Sequence, residues 1–147
     1  MKKKIKKKRK KLRSLKAIKR ECDKIYSIIV RSVGYCQSCG TEEGKNDAHH
    51  IYERGRWGTR WDLRNGIRFC FLCHKRGIHS PSFDRQRPVS NKIIEVKGSE
   101  LLEVLRVKSL QPVKKNRELL ESTLVYLKEE LLKVEEKNEK INSIGID

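Results

Sequence analysis

The chain of 147 residues has little that could build a large apolar core. It contains nine aromatic residues and three prolines, and apolar residues make up only 36% of it. Such a composition favours a fold that something besides apolar burial helps to stabilise. The sequence has no run of about 18 apolar residues, which excludes a membrane-spanning helix. No apolar stretch follows the basic N-terminus, so we do not expect a secretory signal peptide.

Acidic residues are missing from the first 20 positions, which hold 13 Lys and Arg. The whole chain has a formal net charge of +17, of which positions 21–147 account for only +4. Because like charges repel each other, we expect residues 1–14 to form a disordered basic tail. Beside DNA this tail would release counterions and bind without regard to base sequence. The alternative is a tail that only raises solubility, and its few apolar residues disfavour a membrane surface.

Five cysteines without an export signal favour a reducing, cytoplasmic compartment, where paired cysteines bind metal more often than they form disulfides. Cys36 and Cys39 are separated by two residues, and Cys70 and Cys73 repeat that spacing. Two such pairs supply the four thiolates of a tetrahedral structural Zn²⁺ site, with a redox dithiol as the alternative. The zinc would clamp the base of the 30 residues between the pairs. The fifth cysteine, Cys22, lies on a helical apolar stripe, so we predict that it is buried.

Three histidines and one asparagine lie between the two cysteine pairs or directly after the second pair. His49 and His50 lie inside the insertion, Asn65 comes fifteen residues after His50, and His74 follows the second cysteine pair directly. Together the segments Cys-x-x-Cys, Ala-His-His-Ile, Asn-Gly and Cys-x-x-Cys-His resemble the zinc-bearing HNH endonucleases. The resemblance is greatest to the small enzymes encoded by phages and mobile elements, and it covers residues 36–79, about a third of the chain.

The resemblance implies an α+β fold. Its centre would be a ββα-metal finger, clamped by the four-cysteine zinc site and flanked by N- and C-terminal helices. His49 would be a ligand of a catalytic divalent metal, and His50 the general base that takes a proton from the attacking water. His74 would be the second metal ligand. Asn65 would bond the backbone near the base and so orient it.

A third metal ligand is expected at His79. The gap of five residues from His74 would rotate it off the shared face of an ideal α-helix, unless Gly77 lets the chain unwind. The alternative is a surface histidine. Because His49 stands where some family members have Asp, the site would be rich in nitrogen. We expect Mg²⁺ as the catalytic metal, with Mn²⁺, Ni²⁺ and Zn²⁺ as alternatives, and Asp47 as a hydrogen-bond partner of one ligand.

The segment between the histidines and Asn65 is rich in Arg, Gly and Trp. Such a loop suits a phosphate backbone, and we predict phosphate contacts for Arg54, Arg56 and Arg60. Of the two tryptophans, Trp57 is the predicted DNA-facing one, and Trp61 is equally suited to fill the small core. The alternative is a solvated basic loop.

Outside this segment the pattern is helical. We predict an N-terminal helix over residues 15–34, a nuclease domain over residues 35–90 and a helical region over residues 91–147. The apolar residues of the N-terminal helix recur every three or four positions, and Gly34 would end this helix.

Within the C-terminal part, residues 80–88 are predicted as an irregular connection and residues 92–96 as a short strand. A helix would begin at Ser99, and a last helix would run over residues 114–138. This last helix carries a heptad seam of apolar residues. The seam would pack against the protein's own helices or pair two copies into a homodimer. Its members are Leu120, Leu124, Leu127, Leu131 and Val134.

These observations predict a metal-dependent DNA endonuclease that nicks one strand or cuts both. The family chemistry would leave 5′-phosphate and 3′-hydroxyl ends. The alternatives are a zinc-containing DNA-binding module that cuts nothing, and a nuclease that acts on recombination intermediates or RNA. Only an enzyme explains the relative places of His50, Asn65 and His74. A phage-encoded protein would act in the cytoplasm of its bacterial host.

Overall fold

The computed structural model describes residues 12–144, so all but the last three residues of the predicted basic tail lie outside it. The described residues form helices and one two-stranded sheet. In chain order the elements are α1 (Leu15–Arg31), β1 (Asn46–His50), a 3-10 turn (Leu63–Asn65), β2 (Gly66–Cys70), a π-helix (Leu72–Ile78), α2 (Phe83–Lys97), α3 (Ser99–Leu110) and α4 (Arg117–Ile144). No helix in this range is both long and apolar enough to cross a membrane.

Helix α1 begins where a side chain can cap it. The hydroxyl of Ser14 accepts a hydrogen bond from the Ala17 amide, which satisfies one of the free amides of the first turn. The helix ends at Arg31, three residues before the predicted end at Gly34. Its apolar stripe is buried from Ile18 onward, with Cys22 fully inside as predicted, while Leu15 in the first turn is 43% exposed.

Helix α4 packs along α1. The first three members of the predicted heptad seam are buried, and the other two pack against them. The seam therefore contacts α1 of the same chain. We call the buried residues between these elements the helical core. They are Ile18, Cys22, Ile25, Tyr26, Ile29, Val30, Trp61, Leu120, Leu124 and Leu127.

Strands β1 and β2 pair antiparallel, with Asn46 opposite Cys70 at one end and His50 opposite Gly66 at the other. One face of this sheet packs on α1, and the other packs on the π-helix and α2. We call the buried residues on this second side the sheet core. They are Cys36, Ile67, Phe69, Cys70, Val89 and Ile93.

Two sequence predictions in the C-terminal part are wrong. Residues 92–96 are the end of α2 and not a strand, and the predicted irregular connection is already helical from Phe83 onward. Val89 and Ile93, one helical turn apart, lie on the same face of α2 and are buried in the sheet core. This burial holds the helix even though Pro88 lies inside it.

Candidate functional site

The four cysteines of the two predicted pairs lie together. Cys36 and Cys39 belong to the turn before β1, while Cys70 ends β2 and Cys73 lies in the π-helix. All four sulfurs are within 4.8 Å of one another, and those of Cys39 and Cys70 are 3.8 Å apart. Four sulfurs bound to one tetrahedral zinc at the usual bond length would be about 3.8 Å apart. The cluster can therefore bind a metal such as zinc.

Backbone amides donate to the sulfurs of Cys36 and Cys70, while burial raises the pKa of the Cys39 and Cys73 thiols. The amide of Cys73 donates to the sulfur of Cys70 at 3.5 Å. Burial raises the pKa of the Cys36 thiol, but amides of residues 38, 39 and 70 outweigh burial and bring that pKa down to about 7. Since metal ions bind the thiolate form, such donors favour a bound metal.

Three histidines form a second cluster. His49 of β1, His74 of the π-helix and His79 at the end of that helix have ring nitrogens within 4.8 Å of one another. Their ring centroids are 4.8–5.3 Å apart. Three imidazoles at this separation can share one metal ion and leave further coordination positions open.

The π-helix explains how His79 reaches this cluster. The amide of His79 donates to the carbonyl oxygen of His74 at 3.2 Å, so this hydrogen bond spans five residues instead of the four of an α-helix. The wider turn returns the fifth residue to the same side, which an α-helix would not do. A β-carbon on Gly77 would lie 2.7 Å from a methyl group of Val89, so only glycine lets α2 pack against this turn.

Asp47 orients one of the three histidines. Its carboxylate lies 2.8 Å from Nδ1 of His74, as predicted. A carboxylate only accepts, so Nδ1 carries the proton and Nε2 keeps its lone pair for a metal. Burial, followed by the nearby His74 and His79, lowers the pKa of His49 to about 3. His49 is therefore neutral at physiological pH, as a metal-binding imidazole must be.

His50 points to the other face of β1 and makes a different set of contacts. Its Nε2 lies 2.9 Å from the carbonyl oxygen of Arg60. Because that oxygen only accepts, neutral His50 carries its proton on Nε2 and has Nδ1 free to take another. Burial is the main cause that lowers the pKa of His50 to about 4. A neutral imidazole with one free nitrogen can act as a general base.

Asn65 forms hydrogen bonds with the loop that carries the Arg60 carbonyl. Its amide nitrogen donates to the carbonyl oxygens of Tyr52 and Thr59, and its side-chain oxygen accepts from the Tyr52 amide. The side chain is fully buried, so all three bonds are shielded from water. Thr59 directly precedes Arg60, and Asn65 therefore helps to position the group that His50 contacts.

Two side chains of α1 that no sequence motif marks reach the same region. The ring of Tyr26 is stacked on the His50 ring, with centroids 4.6 Å apart. Asp23 accepts two hydrogen bonds from the guanidinium of Arg60, at 3.0 and 2.8 Å, and one from the indole of Trp61 at 2.9 Å. Asp23 and Tyr26 are three residues apart and so share one helix face, the only signal that a sequence could offer.

The three arginines predicted to contact phosphate differ in position. Arg54 lines the cleft beside the histidines, and its 60% exposed side chain lies 3.3 Å from the Asp23 carboxylate, while Arg56 is exposed on the loop. Arg60 is buried, and its guanidinium bonds Asp23 and the Arg54 carbonyl. Because the Arg60 guanidinium is paired with a carboxylate inside the protein, it is not free to bind DNA. We therefore do not expect Arg60 to contact phosphate.

The two tryptophans pack against each other edge to face, with centroids 5.2 Å apart. Trp61 is buried in the helical core, which agrees with the core alternative. Trp57 is half-buried against the same core, and the ammonium groups of Lys19 and Lys115 lie 5.5 and 5.3 Å from its ring. Part of the Trp57 ring is thus open to a ligand.

All four histidines line one open cleft of about 540 Å³ between β1, the π-helix and α2. Arg54 brings a positive charge to it, and Ile51, Ile78 and Ile93 form its apolar wall. The cleft thus holds a cluster able to bind a metal next to a histidine able to accept a proton. Comparisons of the chain with protein families, curated proteins and solved structures found no match.

Proposed function

We propose that this protein is a metal-dependent DNA endonuclease of the HNH type, with a structural zinc at the four cysteines. The observation that carries the proposal is the placement of four histidines in one cleft. Three of them can share a metal ion, and the fourth has one nitrogen free to accept a proton. A binding module that cuts nothing would not need this combination.

The chain's own residues divide the work of phosphodiester hydrolysis. A divalent ion at His49, His74 and His79 would stabilise the developing charge on the phosphate and the departing 3′ oxygen. His50 takes a proton at Nδ1 from the water that attacks phosphorus, while its Nε2 stays bonded to the Arg60 carbonyl. The 60% exposed Arg54 side chain on the cleft wall holds a neighbouring phosphate.

DNA is the substrate that the charge distribution favours. The 13 basic residues of the first 20 positions would bind any phosphate backbone and weaken with salt. Deleting residues 1–11 should therefore weaken the affinity for all DNA sequences alike and flatten its salt dependence. Cleavage at saturating DNA should change little, because the tail holds none of the cleft residues.

The deciding experiment incubates the zinc-loaded protein with supercoiled plasmid and with Mg²⁺, Mn²⁺, Ni²⁺ or Zn²⁺. Wild type should yield nicked or linear DNA with 5′-phosphate ends. His50→Ala should slow cleavage by about 10²–10⁴-fold and leave the zinc content and DNA affinity intact. His74→Ala should also stop cleavage, but excess metal should restore part of it. Asn91→Ala, exposed on α2, is the control.

Each alternative function has its own outcome in this experiment. A protein that binds the plasmid and cuts it with none of the metals would be a zinc-containing DNA-binding module. Faster cleavage of RNA or branched DNA than of plasmid would change the substrate and keep the chemistry. Equal cleavage by His50→Ala and wild type would refute the role of His50.

A further inference from the structure

Helix α1 lies outside the segment that carries the chemistry, yet it contacts the base directly. We propose that Asp23 and Tyr26 of α1 are positioning residues that hold His50 in the tautomer and orientation required for proton transfer. The inference rests on the proposed function, because it assigns the surroundings of the same general base. It implies that residues 36–79 alone do not form a working site.

Tyr26 fixes the plane of the His50 ring. The two rings are 18° from parallel with centroids 4.6 Å apart, and Tyr26 is only 1% exposed. A buried stacking partner prevents the imidazole from rotating about its outer torsion, which is broad when nothing packs against it. The Tyr26 hydroxyl is buried without a hydrogen-bond partner in the described residues, so the aromatic ring is what acts on His50.

Asp23 fixes the carbonyl that receives the Nε2 proton of His50. Its carboxylate grips the Arg60 guanidinium with two hydrogen bonds and the Trp61 indole with a third. Arg60 and Trp61 follow Asp23 by 37 and 38 positions in the chain, so these hydrogen bonds connect the loop to α1. The backbone oxygen of Arg60 is thereby held against His50, which leaves Nδ1 as the atom that accepts a proton.

The first test measures the tautomer and does not depend on cleavage. In the zinc-loaded full chain with ¹⁵N-labelled histidine, long-range ¹H–¹⁵N spectra should show His50 protonated at Nε2. Asp23→Asn and Tyr26→Leu should give a mixture of the two tautomers, and Tyr26→Phe should keep the wild-type pattern. Unchanged His50 signals in both Asp23→Asn and Tyr26→Leu would overturn the inference.

The second test measures plasmid cleavage over a range of DNA concentrations, up to saturation. Losing a group that positions a catalytic residue typically costs about 10–100-fold, so we expect that loss in kcat for Asp23→Asn and Tyr26→Leu. KM should stay within about twofold for Tyr26→Leu, because Tyr26 does not touch the substrate. Asp23→Asn should also change KM, because the Asp23 carboxylate pairs with Arg54 at 3.3 Å. Tyr26→Phe should restore cleavage. Loss of affinity with an unchanged kcat would contradict a positioning role.

Two controls separate positioning from folding. Glu21→Gln removes another α1 carboxylate, one that pairs with Arg13 and Lys128 on the outer side. Ile18→Ala weakens the same helical core as Tyr26→Leu without contacting His50. Both should keep the wild-type tautomer and kcat. Should wild type cut no nucleic acid, the proposed function fails, while the tautomer measurement still decides whether α1 positions His50.

Discussion

The two sides of the small sheet are stabilised in different ways. The helical core has ten buried members, nearly all large and apolar, and α1 and α4 supply nine of them. The sheet core has six, of which two are cysteines of the metal cluster. A core this small seldom stabilises a fold alone, so we expect the sheet side to depend on a metal bound at the cysteines, while the helical side depends on apolar burial.

This difference also separates the two parts of the proposed chemistry. The metal-binding histidines lie on the sheet side with the cysteines, and the rings of His49 and Phe69 are 5.5 Å apart. His50 points the other way and contacts Tyr26 of the helical core. The three-histidine cluster and His50 thus contact two different cores, and these meet at β1. Because the two cores are separate, we expect that a destabilising substitution on one side of the sheet leaves most of the other side folded.

The largest expected effect comes from removing a metal ligand of the sheet side. Structural zinc contributes about 10–16 kcal/mol of folding free energy in zinc-finger peptides, so Cys39→Ser should lose the zinc and unfold the sheet side. Elemental analysis should find one zinc per wild-type chain, and hydrogen exchange should show β2 unprotected in the variant.

Cys22→Ala is the matched control, because Cys22 lies in the helical core and outside the metal cluster. It should keep the zinc. Full zinc content in Cys39→Ser, or protected β2 amides after the metal is removed, would show that apolar burial alone holds the sheet side.

The next effect belongs to the helical side. Leu127 is completely buried between α4 and α1, and Leu127→Ala should lower the free energy of unfolding by about 2–5 kcal/mol. Urea denaturation followed by circular dichroism measures it. Leu132→Ala, whose side chain is 58% exposed, should change stability by less than about 0.5 kcal/mol. Zinc content should stay at wild type in both, and zinc loss in Leu127→Ala would mean that the two sides fold as one unit.

A smaller effect is expected where the two sides meet. A β-carbon on Gly66 would lie 2.3 Å from Val30 Cγ2 and 2.8 Å from the Tyr26 hydroxyl, so β2 can approach α1 only through glycine. Gly66→Ala should cost about 1–3 kcal/mol by overpacking. Gly55→Ala, with no atom within 4 Å of the added carbon, is the control. Equal thermal stability of the two variants would show that the sides need not be in such close contact.

The smallest effect concerns an ion pair that fastens α3 to the loop before β2. Burial alone would raise the pKa of Asp62, but bonds from Arg64 and Lys108 lower it to about 2. Because this pKa lies below the unfolded value of about 3.9, the pair stabilises the fold above about pH 4. That stability is lost as pH falls towards about 2.

Asp62→Asn should therefore be less stable than wild type by about 1–2 kcal/mol at pH 7, a range that allows for solvent screening. Thermal unfolding should show this gap closing between about pH 4 and pH 2. Glu103→Gln breaks a fully exposed pair with Arg106 and serves as the control. A gap that persists at pH 2 would contradict the assignment to the Asp62 charge.

Predictions from local patterns agree well with the structure. The cysteine pairs cluster as expected, and the adjacent positions of His49 and His50 send the two rings to opposite faces of β1. Asp47 bonds His74, and the first three residues of the α4 seam are buried. Each of these depends on spacing within one element or on ligands that one metal ion requires together.

Predictions that ignored packing fared worse. The strand expected over residues 92–96 is helical, because Val89 and Ile93 find a partner surface on the sheet core. Arg60 was expected on DNA but is paired with Asp23, and Trp57 packs half-buried on the helical core. Nothing in the loop's composition distinguishes its exposed arginines from the one that is buried.

The sequence by itself determined the chemical inventory of this protein, namely the four paired cysteine thiols, the four imidazoles and the Asn65 amide, together with their spacing. Tertiary structure alone decided how His50 is held. Its contacts come from Tyr26 and, through Arg60, from Asp23, at separations along the chain that no periodic pattern encodes. Local spacing constrains residues that share an element, whereas contacts between elements depend on which surfaces become buried together.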